Sequence, residues 1–198
     1  MITLGVATSS IIEDQVESVA AMLISAAPEH YALLPDDSRG GASSCVVSQL
    51  FNAGTEFENI FCIHEDGVVA GLVAHYPTAE IVARKQKSLR ELIRMIPGHL
   101  RGAFMAAASA HSRDIPEAEA GAIYLARVAV SAERQGRGLG KLLLDRFLEQ
   151  LEAGSKVALH VNAQNLTAIR LYLKLGFAVS GQPNTAYLLM TREVSQLV

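Results

Sequence analysis

The sequence has little of what would fit it for a membrane, an oxidising exterior or a polyanion. Only 19% of its 198 residues are charged, and 17 basic against 20 acidic residues leave a net charge of −3. That balance gives no general field for holding DNA or RNA, so nucleic acid is not an expected partner and any anion site must be local. Cysteine is confined to Cys45 and Cys62. A pair this sparse has neither metal-ligand spacing nor the density of a disulfide scaffold, so both are expected as core thiols in a reducing compartment, with no metal. The first ten residues lack the positive n-region of a signal peptide, and no run approaches the roughly 18 apolar residues that span a bilayer. No membrane association and a cytoplasmic location are expected. There is no internal repeat, linker or low-complexity tract. What is present is core material: half the residues are hydrophobic, enough for a single domain over residues 1–198.

The chain opens as β then α. Residues 2–7 read as a strand, and Ser10 and Glu13 have capping-box spacing before a helix with Val16, Val19, Ala20 and Leu23 on one face. Residues 28–43 read as loop and 44–51 as a short helix. Two β-rich runs, 59–64 and 68–75, flank Glu65-Asp66-Gly67, and an Asp-Gly turn between such runs predicts an antiparallel hairpin. Residues 78–119 read as a two-helix segment, with Leu89, Leu92, Ile93 and Ile96 at helical spacing and a break at Pro97-Gly98. Then come a strand over 122–130, a helix over 139–153, a strand over 157–161 and a helix over 167–175 stopped by Gly176. Strands over 177–180 and 186–191 follow, separated by residues 181–184. The pattern predicts an α/β fold with a mixed central sheet of about seven strands and helices on both faces.

Three glycines at 136, 138 and 140 lie between a strand and an amphipathic helix, where backbone amides and the helix dipole can jointly hold a phosphate. The spacing excludes two familiar loops. A dinucleotide fingerprint needs its third glycine at 141 and an acidic residue at the end of the next strand, which closes instead on His160-Val161. A Walker A loop needs glycine at 135 and Ser or Thr at 142, where this chain has Gln135 and Leu142. Without a ligand, the run would be only a glycine-rich strand-to-helix turn.

Gln135-Gly136-Arg137-Gly138-Leu139-Gly140 closely resembles the acetyl-CoA signature of the GNAT superfamily of N-acetyltransferases, Gln/Arg-x-x-Gly-x-Gly/Ala. A second motif of that family follows over residues 159–177, where Asn165, Tyr172 and Gly176-Phe177 fall in order. The resemblance is good over 120–180, moderate over 1–75 and silent on the segment between. It implies the acyl-CoA N-acyltransferase fold and acetyl-CoA as co-substrate. It also implies a cofactor site made of Gln135, Gly136, Arg137, Gly138 and Gly140 at the pyrophosphate, the main chain of Val128 and Val130 at the pantetheine, and Asn165 beside the cofactor.

The same resemblance points the Tyr172 phenol at the thioester sulfur. Taken alone, a tyrosine on a helix with Ile169 and Leu175 reads as core. An amine attacking the thioester gives a tetrahedral oxyanion that expels a thiolate. A phenol near pKa ~10 can return a proton to a thiol near ~8.5, so Tyr172 is the expected general acid, with the Val128 amide as oxyanion donor. The strand position that often carries a glutamate base in the family holds Ala126. In ribosomal-protein alanine acetyltransferases a glutamate base stands five residues before the second-motif asparagine, and here that position is His160. Three readings of His160 stay open: a base with pKa near ~6.5, a structural strand histidine, or a bystander while water takes the proton. His75 and His111 have weaker claims.

The expected function is acetyl transfer from acetyl-CoA to a primary amine of a small molecule or peptide, with a homodimer left open. The rival is a non-catalytic CoA-binding regulatory or interaction module on the same fold. The segment 78–119 is where the acceptor should be chosen. Its Arg84, Lys85, Lys87, Arg90, Arg94 and Arg101 fit either an acidic substrate or a solvated helix face.

Overall fold

Asp66 and Gly67 both have positive φ, 54° and 80°, as the two central residues of a type I′ turn require. They join strand β2 (Ile60–Glu65) to β3 (Val68–Pro77) as the antiparallel hairpin the sequence predicts. The computed structural model describes residues 2–6, 13–32, 34, 41–112, 115–181 and 186–195. The Ser10 cap and most of the 181–184 connection lie outside them.

Around the hairpin, seven strands form one sheet in the order β1-β2-β3-β4-β5-β7-β6. The others are β1 (Ile2–Val6), β4 (Ile123–Val130), β5 (Lys156–Asn162), β6 (Ala178–Ser180) and β7 (Tyr187–Glu193). Every pairing is antiparallel except β4 with β5. Helices α1 (Val16–Ala26), α2 (Pro28–Tyr31) and α3 (Gly41–Leu50) follow β1 in the chain. Val19 and Leu23 of α1 and Val46 of α3 bury against Phe57, Leu72, Tyr76 and Tyr124 on one face of the sheet. On the other face, Leu143, Leu144 and Phe147 of α6 (Leu139–Leu148) and Tyr172 of α7 (Leu166–Lys174) bury against Ile63, Val73, Leu159 and Met190. Helices thus cover both faces, as expected. Cys45 and Cys62 are buried free thiols.

Between β3 and β4 the chain forms α4 (Ile81–Met95) and α5 (Arg101–Ser112). The break falls at Pro97-Gly98, but the buried face of α4 is not the leucine stripe. The residues that α4 buries are Arg84, Ser88 and Glu91, at i, i+4 and i+7. Each is paired: Arg84 with Glu58 and Glu80, Ser88 with the Glu56 amide, and Glu91 with Lys87 and Arg94. Polar groups can be buried there because partners satisfy them.

Two irregularities of β4 create the site. Its register with β3 slips between Ala74 and His75, from Ala74↔Arg127 to His75↔Leu125, so Ala126 is one residue too many. Such a bulge turns consecutive side chains to the same face. Its pairing with β5 covers only Ile123, Tyr124 and Leu125. Beyond Leu125 the two strands part, while β5 stays paired with β7 through Asn162.

Candidate active site

The parting strands open a cavity of about 1060 Å³, lined by β4 from Tyr124 to Val130, the glycine loop, the end of β5 and one face of α7. Ser131 N–H donates to Ala70 O on β3 at 3.0 Å. Amides alternate sides along a strand, so the N–H groups of Val130 and Val128 point away from β3, into the gap. They offer an extended ligand the bonds another strand would make.

At the far end, Gly136 and Gly138 have φ of 75° and 79°, and Gly138 is the N-cap of α6. The left-handed conformation favours glycine at these positions. Gly140 serves packing: a Cβ there would stand 3.3 Å from Leu171 Cδ2. Gln135 donates from Nε2 to Val130 O. Arg137 is drawn to the end of β2, where it makes a two-pronged pair with Glu65 at 2.8 and 3.0 Å, and Arg134 joins the same carboxylate at 2.9 Å. These two guanidinium groups, Arg137 first, hold the Glu65 carboxyl below its usual range. Asn165 caps α7 by accepting the Ala168 N–H at 3.1 Å and lines the cavity beside Ala168. The cavity, the unpaired β4 amides and the open loop fit a pantetheine pyrophosphate.

Tyr172 lies on the cavity wall, with its ring edge-on to Phe177 at 5.7 Å. Among the described residues no hydrogen-bond partner of its hydroxyl is found, and burial alone raises its pKa, so the phenol stays protonated. His160 also lines the cavity, but both of its ring nitrogens are engaged. Nε2 lies 2.7 Å from Pro116 O, which can only accept, so Nε2 carries the hydrogen and Nδ1 accepts from Tyr124 Oη at 3.0 Å. Burial first, then the Lys85 charge, bring its pKa down to about 4. The imidazole is therefore neutral at pH 7, and its lone pair is reached only through Tyr124. His75 stacks on Phe147 at 4.7 Å, away from the cavity lining. The side chain of His111 lies outside the described residues.

Gln135, Gly136, Gly138, Gly140, Val128, Val130, Asn165, Tyr172 and His160 thus meet in one cavity, while the Arg137 side chain turns from it to Glu65. Sequence reasoning missed Tyr124, whose partner is known only once β4 and β5 are paired. It also missed Arg127, whose direction depends on the bulge, and Glu65, which sits 72 residues before Arg137. Lys85 was one charge among six; the structure separates it from Arg84, Lys87 and Arg94, which are paired in place.

A mixed sheet splayed between parallel strands, with a glycine loop at the mouth of the splay, defines an acyl-CoA N-acyltransferase fold. A model of the acetyltransferase (GNAT) family matches residues 27–177, well over half of the chain, and the chain belongs to that family. Over 55 residues it is 44% identical to the ribosomal protein bS18-alanine N-acetyltransferase of Salmonella typhimurium, a match covering 27% of this chain and 37% of that enzyme. An N-acetyltransferase of Staphylococcus aureus Mu50 superposes with a TM-score of 0.66 at 19% identity, covering 90% of this chain and 96% of its own. The yncA protein of Salmonella typhimurium, solved with its cofactor acetyl-CoA, superposes with a TM-score of 0.52 at 14% identity over 99% of this chain and 95% of its own. No helix among the described residues is long and apolar enough to cross a membrane.

Proposed function

We propose that this chain transfers an acetyl group from acetyl-CoA to a primary amine by direct attack, the amine belonging to a small molecule or a peptide. The observation that carries the reading is the cavity in the β4–β5 gap. It has unpaired strand amides on one wall, a glycine loop at one end and a protonated phenol on another wall. The main chain of Val128 and Val130 binds the pantetheine arm, and Gly136 and Gly138 leave room for the pyrophosphate beside Gln135 and the backbone of Arg137, with Gly140 letting the loop pack closely on α7. Asn165 flanks the cofactor.

In the transfer, the acceptor nitrogen bonds to the acetyl carbon and the carbon–sulfur bond breaks. The Val128 N–H stabilises the oxyanion and the Tyr172 hydroxyl gives its proton to the departing thiolate. The amine's proton leaves by way of Tyr124 Oη and His160 Nδ1, which holds it only transiently because the imidazole is a weak base, and passes to solvent, which in turn reprotonates the Tyr172 phenolate. Assaying CoA thiol release from acetyl-CoA across small amines, amino acids and an alanine-terminated peptide tests this. Thiol and N-acetyl product from at least one amine are expected. CoA binding without product from any amine would make the protein a binding module.

A further inference from the structure

The bulge at Ala126 places Arg127 where an alternating strand would not. Ala126 packs into the core on the α1 and α3 face, and the Arg127 guanidinium lies over the same side, 6.0 Å from the Phe57 ring centroid and beside Tyr31. It lines the cavity. One of its nitrogens, Nη1, donates to Ala126 O at 2.7 Å, but its Nε is buried without a partner. Lys85 reaches the same cavity from α4 and is substantially desolvated there. Neither cation makes an ion pair with a described residue. Among the described carboxylates, Glu56 acts on both cations through its charge without pairing with either and accepts from Tyr76 Oη at 3.1 Å, and Glu29, on the cavity wall, accepts from Tyr187 Oη at 3.0 Å. A partly buried guanidinium whose Nε is enclosed without an acceptor is costly, and a ligand carboxylate is the group that best removes the cost.

Arg127 is also next in sequence to Val128, whose amide faces the reacting carbonyl. The two residues are adjacent on β4, roughly 3.4 Å apart along the strand, so the Arg127 side chain leaves the strand next to the amide assigned to the oxyanion. The cavity must take the pantetheine arm as well, which leaves space for a small acceptor. Resting on the acetyltransferase reading, we propose that Arg127 and Lys85 form an anion subsite, and that the acceptor is a small amino acid whose carboxylate docks there while its amine faces the thioester.

The test compares glycine, L-methionine, L-phenylalanine and L-glutamate with the carboxamide of each, by thiol release from acetyl-CoA. Wild type is expected to favour the acids in kcat/KM by at least about 10-fold, as one charge-assisted contact to a carboxylate implies. Arg127→Met should lower kcat/KM for the acids by roughly 10- to 100-fold with the carboxamides changed less than about 3-fold, and Arg127→Lys should restore part of the loss. Lys85→Met, which keeps an unbranched side chain of similar length at this half-buried position, should reduce the preference for acids without affecting folding. CoA affinity by calorimetry should be the same in all four proteins. Equal rates on acids and carboxamides in wild type, or faster acetylation of carboxamides or peptides, would overturn the subsite while leaving the acetyltransferase reading in place. Losses of the same size on both series in Lys85→Met and Arg127→Lys would overturn it as well. Failure of wild type to bind CoA or to acetylate any amine would instead remove the reading on which the subsite rests.

Discussion

Tyr172 and His160 share a cavity, yet their environments assign them different work. The phenol is buried, without a hydrogen-bond partner among the described residues, and protonated, so it can donate but cannot act as a base near neutral pH. Tyr172→Phe keeps the ring packed on Phe177 and removes only the donor. We expect kcat to fall roughly 10- to 1000-fold with melting temperature and CoA affinity nearly unchanged; full turnover would leave water as the source of the thiolate's proton. For His160 the pH dependence is the telling measurement. Its folded pKa is depressed to about 4, below an unfolded value near ~6.5. The imidazole is therefore neutral throughout the neutral range and only a weak base there, and it charges only as the pH falls through about 4. The unfolded chain binds the extra proton first, so this residue's contribution to stability is present above ~6.5 and declines as the pH falls toward the folded value. If the proton path runs to Nδ1, kcat/KM should have an acidic limb near 4 that His160→Gln removes. An unchanged limb in that variant would leave His160 only the task of holding Tyr124 and Pro116.

At the scale of elements, the glycine loop is tied to the rest of the sheet through Glu65, at the end of β2, by its pairs with Arg134 and Arg137. These fix the loop's approach to the β2–β3 hairpin before any ligand arrives. Glu65→Gln should raise the KM for acetyl-CoA by roughly 3- to 10-fold while leaving kcat unchanged, because the reacting end is built from other elements. A change in kcat alone would contradict that division. Because the two arginines hold the Glu65 carboxyl low, the tie is intact above the ordinary carboxylate range and is lost as the pH falls through the lowered value. The loop itself was legible in the sequence, since alternating glycines before an amphipathic helix have few other uses. Glu65 was not, because only the hairpin brings it to the loop. Helix α4 shows the opposite failure. Leu89, Leu92 and Ile93 gave a regular period, but all three are only partly buried. The position of Glu58, Glu80 and Thr55 around Arg84 turns the charged side inward instead. Periodicity measures how apolar a face is, and cannot reveal that partners wait for the polar one.

Across the whole molecule, the mixed sheet of about seven strands and the helices on both faces were readable from the alternation of patterns, because each element's period is local; the strand order was not, because it depends on pairings between distant segments. The splay between β4 and β5 and the bulge at Ala126 were not, since both are mismatches of register between distant segments. They are also what makes a site of an otherwise continuous sheet: one leaves the amides of Val128 and Val130 without a strand partner, and the other turns Arg127 toward the acceptor side. The central claim is that this opening, with the glycine loop at its mouth, holds acetyl-CoA. Titrating CoA into wild type, Gly138→Ala and Gly138→Glu by calorimetry tests it most directly. Gly138 has φ 79° with no atom near its missing Cβ, so the alanine variant carries the backbone strain, roughly 1–2 kcal/mol, without a clash. The glutamate variant adds a carboxylate where the pyrophosphate belongs. CoA is expected to bind wild type, to bind Gly138→Ala within about 10-fold of it, and to bind a folded Gly138→Glu at least about 100-fold more weakly. CoA binding to Gly138→Glu with wild-type affinity would contradict the central claim.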